Sequence, residues 1–308
     1  MLVAVTLVFF LMRLIGGDPF RHGPLHGLKS EGGWVKYGDY RPPAIKKNLE
    51  RRYGLDLPWY QQYGNYLQGV ATFDLGPSLS FRDRSVNDIT REHAPVSFEL
   101  GVLALLWAVV IGIPAGVLGA LRPGTLGDHV IGSASSLALA LPNFLVATLL
   151  IYYLSVKLGW LPTTGWESWR HKVLPSFVLS LVPMAWLARL MRTSVLATMN
   201  LEYVQAARAR GLRTRRILTA HVLRSSLIPV ITAALPLLGY LVTGSFIIET
   251  IFSVPGTGRF FVAAAAAAAR DYTVVMGLTV LLTTVMIVAN LTVDLLYGLL
   301  DPRIRDTG

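Results

Sequence analysis

The chain is 308 residues long, 53% hydrophobic and 15% charged, with a net charge of +10 and no cysteine. A soluble domain of that length rarely combines so much apolar with so little charged sequence, and here the apolar residues gather in long blocks, so the main solvent is lipid. The absence of cysteine excludes a disulfide framework, a thiolate metal site and a thiol nucleophile, and the positive charge crowds one short loop without the aromatic interleaving of a nucleic-acid surface.

Apolar stretches that read as membrane spans cover residues 1–15, 96–121, 129–156, 173–191, 226–248 and 273–299, judged against the ~20 residues that cross a bilayer. This predicts an all-α integral membrane protein with six transmembrane helices and a large external loop after the first. The first stretch is short of the crossing length. It reads as an anchored helix ahead of a cleaved signal peptide, which would need a basic leader and a small-x-small cleavage site.

Residues 17–95 form the one large segment outside the membrane and carry Trp34, Tyr37, Tyr40, Tyr53, Trp59, Tyr60 and Tyr63. Within it, Pro43 to Leu55 reads as a short helix and Trp59 to Val70 as an amphipathic one. Two readings stay open, a cap that packs on the bundle and a docking face for a soluble partner.

Prolines interrupt the spans at Pro114, Pro142, Pro183, Pro229 and Pro236, as kinks that shape the bundle or as points of rocking. Between the fourth and fifth spans, Arg189, Arg192, Arg208, Arg210, Arg213, Arg215, Arg216 and Arg224 lie in or beside residues 192–225, with Glu202 the only acid. Short basic loops stay cytoplasmic, which places both termini inside as well. Anionic lipid headgroups are a secondary partner for that charge. In the loop, Glu202, Tyr203, Gln205, Ala206, Ala207 and Gly211 outline a short docking helix. The two alanines would leave a bare patch for a partner, and Gly211 suits a left-handed helix end.

After the fifth span, Pro255-Gly256-Thr257-Gly258 reads as a tight turn and the run Ala263 to Ala269 as a short helix at the outer mouth. No Gly-Lys-Ser or Gly-Lys-Thr follows the glycines, so they do not form a nucleotide site. In the last span Thr279, Thr283, Asn290 and Asp294 fall on one stripe, read either as interhelical hydrogen bonding or as the lining of a polar pathway, with Arg189 and Arg192 as possible partners of Asp294. The scattered histidines form no metal or catalytic constellation, and no internal repeat is apparent.

The pattern Gln205-Ala206-Ala207, three residues, then Gly211 resembles the docking loop of ABC importer permeases, with Gln in place of Glu at 205 and Arg224 in place of a proline after His221-Val222-Leu223. Glu249-Thr250-Ile251-Phe252-Ser253-Val254-Pro255-Gly256-Thr257-Gly258-Arg259, then Arg270-Asp271-Tyr272 and Asp301-Pro302-Arg303-Ile304-Arg305, resemble the dipeptide, oligopeptide and nickel branch of that family, as does Gly17-Asp18-Pro19.

The resemblance implies a type I permease fold divided into a first helix (1–16), an external region (17–95), a five-span core (96–300) with coupling loop 192–225, and a cytoplasmic tail (301–308). It implies a start upstream of Met1 and an external mouth motif of Glu249, Pro255, Gly256, Gly258 and Arg259. The implied partners are a second homologous permease, two cytoplasmic ATPases and an extracytoplasmic substrate-binding protein. ATP and Mg would be used by the ATPases and no cofactor held by this chain, which sits in the inner membrane and passes peptides. The rival readings are a secondary transporter, disfavoured by the scarcity of carboxylates in the spans, and a permease for nickel complexes or sugars.

Overall fold

The computed structural model describes residues 1–15, 29–30, 33–34, 54, 56–79, 81, 84–243, 245–266 and 271–300. Among the described residues the regular structure is helical apart from a two-stranded antiparallel pairing of Lys29–Ser30 with Gly33–Trp34 and an isolated antiparallel bridge between Pro77 and Ser85. The helices are α1 (Leu2–Ile15), α2 (Trp59–Thr72), α3 (Val86–Leu121), α4 (Leu126–Ala140), α5 (Asn143–Lys157), α6 (Trp169–Met199), α7 (Glu202–Ala209), α8 (Thr214–Thr243), α9 (Phe246–Ile251), α10 (Thr257–Ala265) and α11 (Tyr272–Leu300). Among the described residues, 4 helices (α3, α6, α8 and α11) are long and apolar enough to cross a membrane, and the pair α4 and α5 brings the number to 5 if it counts as one span. The helix at Leu2–Leu14 is apolar but shorter. This is a multi-pass membrane protein.

Three spans differ from the sequence expectation, the one expected over 226–248 being α8, which starts at Thr214 and ends at Thr243. Helix α3 starts at Val86, well before residue 96, because Ser85 and Asp88 form a reciprocal cap: the Ser85 N–H donates to Asp88 Oδ2 at 3.0 Å and the Asp88 N–H to Ser85 Oγ at 3.1 Å. The expected span 129–156 is two helices bent by 106°. Pro142 forces Leu141 out of the helical region (φ −82°, ψ 132°), and a new helix starts at Asn143. Pro114 is milder. It lacks the N–H that would return to Val110, and the turn before it, Ala108–Gly112, widens to a π-helix without breaking α3.

The fold divides into two units, residues 1–96 with 255–285 and residues 97–254 with 286–308. In the first, α2 lies along α1 through Thr6 Oγ1 to the Tyr63 hydroxyl (2.7 Å) and through rings of Phe9 and Phe10 against Trp59, Tyr63 and Tyr66. The expected helix over 59–70 is thus present, extended to Thr72; of the one expected over 43–55 only Gly54, in a turn, is among the described residues. A small core of Val86, Ile89, Ala264, Val274, Val275 and Leu278 joins the remaining pieces of the unit.

The second unit is organised around α6, which packs on residues 108–121 of α3, on α4 and on α8. Lipid supplies no hydrophobic drive between helices, so close backbone approach matters. At Gly112 an added Cβ would stand 2.7 Å from the Met184 carbonyl, and at Gly116 it would strike the Ala188 carbonyl and Met191. On another side Ser194 Oγ donates to the Ser226 carbonyl at 3.0 Å and the buried Ser226 Oγ to Thr198 Oγ1 at 3.0 Å, fastening α6 to α8 through hydroxyls.

Candidate functional site

The short helix expected in the loop exists as α7, Glu202–Ala209, and its two faces are unlike. Val204 and Ala207 are buried in a core with Leu187, Met191, Val195, Ile217, Leu218 and Val222, so α7 is embedded in the ends of α6 and α8. Glu202, Tyr203, Gln205, Ala206, Ala209 and Arg210 are exposed. The expected bare patch is therefore corrected. Ala206 lies on the outer face, whereas Ala207 is 8% exposed and points into the fold, where its small side chain lets α7 approach the core. The spacing of three from Val204 puts Ala207 on the covered side.

Gly211 plays the part expected of it. Its φ is +78°, the Leu212 N–H reaches the Ala207 carbonyl and the Gly211 N–H donates to the Arg208 carbonyl at 3.0 Å, the pair of bonds that closes a helix through a left-handed residue. Nothing lies within 4 Å of where a Cβ would stand, so the need for glycine is purely one of backbone conformation. The Gln205 side-chain amide donates to the Asn200 carbonyl at 3.1 Å, and the Tyr203 hydroxyl reaches Ser225 Oγ at 3.3 Å. Arg208, Arg210, Arg213, Arg215 and Arg216 are exposed around this surface, and none of them has a carboxylate partner among the described residues.

Among the described residues Arg189 and Arg192 have partners on α4. Arg192 grips Asp128 on α4 with both arms, Nε to Oδ1 and Nη2 to Oδ2 at 2.7 Å each, and the Gly124 N–H adds a third bond to Oδ2 at 2.9 Å. Gly119 leaves the room, since a Cβ there would be 3.2 Å from Asp128 Oδ1. Arg189 Nη2 donates to Ser136 Oγ at 2.7 Å. On α11, Thr279 is half-buried and returns its hydroxyl to the Val275 carbonyl of its own helix at 2.7 Å, Thr283 is half-buried and Asn290 exposed; the side chain of Asp294 lies outside the described ones.

The expected mouth motif divides between the two units. In one, Glu249 is fully buried and accepts from Ser97 Oγ at 2.8 Å and from Ser245 Oγ. Here the left-handed turn residue is Ser253 (φ 53°), which closes α9, and not one of the glycines. In the other, Gly256 is extended (φ −98°, ψ 174°) and precedes α10, Gly258 is buried, Arg259 is exposed and the Pro255 carbonyl accepts from His93 Nδ1 at 2.8 Å. Helix α10 thus begins at Thr257, ahead of the alanine run, of which 267–269 lie outside the described residues.

His93 and Asp271 are the residues that sequence reasoning undervalued. His93 stacks on Phe260 at 4.2 Å between ring centroids. Asp271 is wholly buried, caps α11 by accepting from the Val274 N–H at 3.1 Å, and holds the Leu79 N–H at 3.0 Å. An aspartate just before a long apolar run was the available signal for the cap.

Residues 112–306 match the family described as binding-protein-dependent transport system inner membrane component. The chain is 42% identical over 304 residues to the dipeptide transport system permease protein DppB of Bacillus subtilis, an alignment covering 99% of this chain and 93% of that protein. It is 38% identical over 305 residues to the oligopeptide transport system permease protein OppB of Haemophilus influenzae, covering 98% and 94%. Among solved structures, the MetNI methionine ABC transporter in an inward-facing conformation aligns with a TM-score of 0.57 at 18% identity over 69% of this chain and 96% of that chain. An amino acid ABC transporter with histidines aligns with a TM-score of 0.53 at 16% identity over 70% and 94%. These two likenesses are of fold. The chain belongs to the family of binding-protein-dependent transport system inner membrane components, the permeases of ABC importers, in its dipeptide and oligopeptide branch.

Proposed function

We propose that this chain is one of the two membrane subunits through which an ATP-driven importer passes peptides. The observation that carries the reading is the docking helix α7, embedded on one side in the cores of α6 and α8 and bare on the other around Ala206. A cytoplasmic ATPase would seat Tyr203, Gln205 and Ala206 in a groove, and its closure on ATP would be delivered to the ends of two spans at once. Peptide as cargo is supported by the names of the dipeptide and oligopeptide permeases that the chain is similar to.

The exposed arginines from Arg208 to Arg216 support a cytoplasmic position for this loop, and hence cytoplasmic termini around six spans with α1 as the first. In this reading the partners are a second homologous permease, two ATPase subunits that use ATP and Mg, and an extracytoplasmic binding protein. The permease has no ATPase site of its own, and the whole lies in the inner membrane. The polar positions Thr279, Thr283, Asn290 and Asp294 remain candidates for the pathway, and Glu249, Pro255, Gly256, Gly258 and Arg259 for the outer mouth.

The test is co-expression with the neighbouring genes, purification and reconstitution in lipid vesicles. Peptide-loaded binding protein should stimulate ATP hydrolysis and ATP-dependent uptake. A chain that purifies without an ATPase and moves peptide on an ion gradient would establish the secondary-transporter reading instead.

A further inference from the structure

Helix α6 is covered unevenly. From His171 to Ala185 no residue is exposed, but from there to the docking helix a stripe of Trp186, Arg189, Thr193 and Ala197 is open. These positions are three and four apart and lie on one face. Helix α4 is open over most of its surface, His129, Ser133 and Ser136 included, and meets the stripe where Arg189 Nη2 donates to Ser136 Oγ. Of the cations on α6, Arg192 pairs with Asp128, Lys172 with Glu99 and His171 lies 3.2 Å from Glu167, while Arg170 sits over the Trp169 ring. No such pair exists for Arg189 among the described residues, and its guanidinium keeps donors beyond the one used on Ser136. A permanently charged, planar donor on an exposed strip of a spanning helix is unsuited to lipid tails and suited to an anion.

We propose that Arg189 binds the terminal carboxylate of the translocated peptide in the half of the pathway nearer the docking helix, with Ser136 holding the guanidinium and Trp186 and Thr193 lining the approach. The inference rests on the importer reading. Every peptide presents a carboxylate whatever its side chains, so recognition at this point is compatible with varied cargo. A fork of donors at the open end of the strip gives a departing peptide one weak site between the mouth and the cytoplasm.

The test uses the whole reconstituted transporter with saturating binding protein loaded with radiolabelled Ala-Phe, and reads peptide delivered per ATP hydrolysed. Arg189→Gln should lower that ratio about tenfold, the scale of one charge-assisted hydrogen bond, while stimulation of hydrolysis by loaded binding protein is unchanged; Arg189→Lys should retain most of the ratio. The drop should be equal in vesicles of phosphatidylcholine alone and in vesicles containing phosphatidylglycerol. An unchanged ratio in Arg189→Gln overturns the proposal. So does a drop confined to phosphatidylglycerol vesicles, which would assign the anion to a headgroup, or a parallel loss of hydrolysis and of the second permease, which would assign it to assembly. A wild-type transporter with no ATP-driven uptake overturns the importer reading and this proposal with it, a result distinct from any change seen against an active wild type.

Discussion

Two neighbouring alanines should respond to the same substitution in opposite ways. Ala207 is 8% exposed and shares a core with Leu187, Met191, Val195 and Ile217, so Ala207→Glu puts a carboxylate among apolar side chains. Burying an unpaired charge is so costly that the group neutralises or the helix lifts away. Taking the cost of an unsatisfied polar group as a floor, α7 should be destabilised by about 3 kcal/mol or more. Ala206 is exposed and touches no core, so Ala206→Glu should change stability by less than about 0.5 kcal/mol. The assay is thermal denaturation of the purified complex beside ATPase and uptake rates. Ala206→Glu should melt with the wild type yet lose binding-protein-stimulated hydrolysis and uptake together, whereas Ala207→Glu should melt earlier. Equal melting of both variants with full uptake would refute the division of α7 into a buried and a docking face.

Further outcomes follow from the packing. Asp128→Asn and Arg192→Gln should each lower the melting temperature, and the double variant should be no worse than the worse single, because the forked pair is a unit; additive losses would deny the coupling. Gly116→Leu should destabilise by about 2 kcal/mol through forced separation of α3 and α6, measured by the same melts, since the added Cβ alone strikes the Ala188 carbonyl. At Gly211, alanine should cost about 1 kcal/mol from its φ of +78° and asparagine less, with uptake falling in that order; a functional and fully stable Gly211→Pro would contradict the cap, since proline removes the N–H bonded to Arg208.

Much of the fold was legible because hydropathy registers lipid contact residue by residue. The span near 273–299 matches α11 to within one residue at each end, and the span near 173–191 falls short of α6, where Arg170-His171-Lys172 and Arg192-Thr193-Ser194 leave the apolar zone. The start of α3 was missed for a related reason: Ser85 and Asp88 announce a helix, but residues 86–95 are too polar to read as a span. The break at Pro142 was visible as a proline, yet a kink and a bend of 106° look the same in one dimension. At the docking helix, Gly211 was readable from local backbone rules. The inward turn of Ala207 was readable in principle from its spacing to Val204. The Asp128–Arg192 fork was not, since its halves lie 64 residues apart and either could have paired elsewhere.

The central claim is that the Ala206 face of α7 meets an ATPase. The chain contains no cysteine, so Ala206→Cys and Ala207→Cys each introduce one unique thiol. A maleimide–benzophenone linker placed on each, in the assembled transporter, reads the contact directly. The account predicts photo-cross-linking to the ATPase subunit from position 206, altered by ATP, and little labelling at 207. Efficient labelling at 206 with no ATPase in the cross-linked product would contradict it.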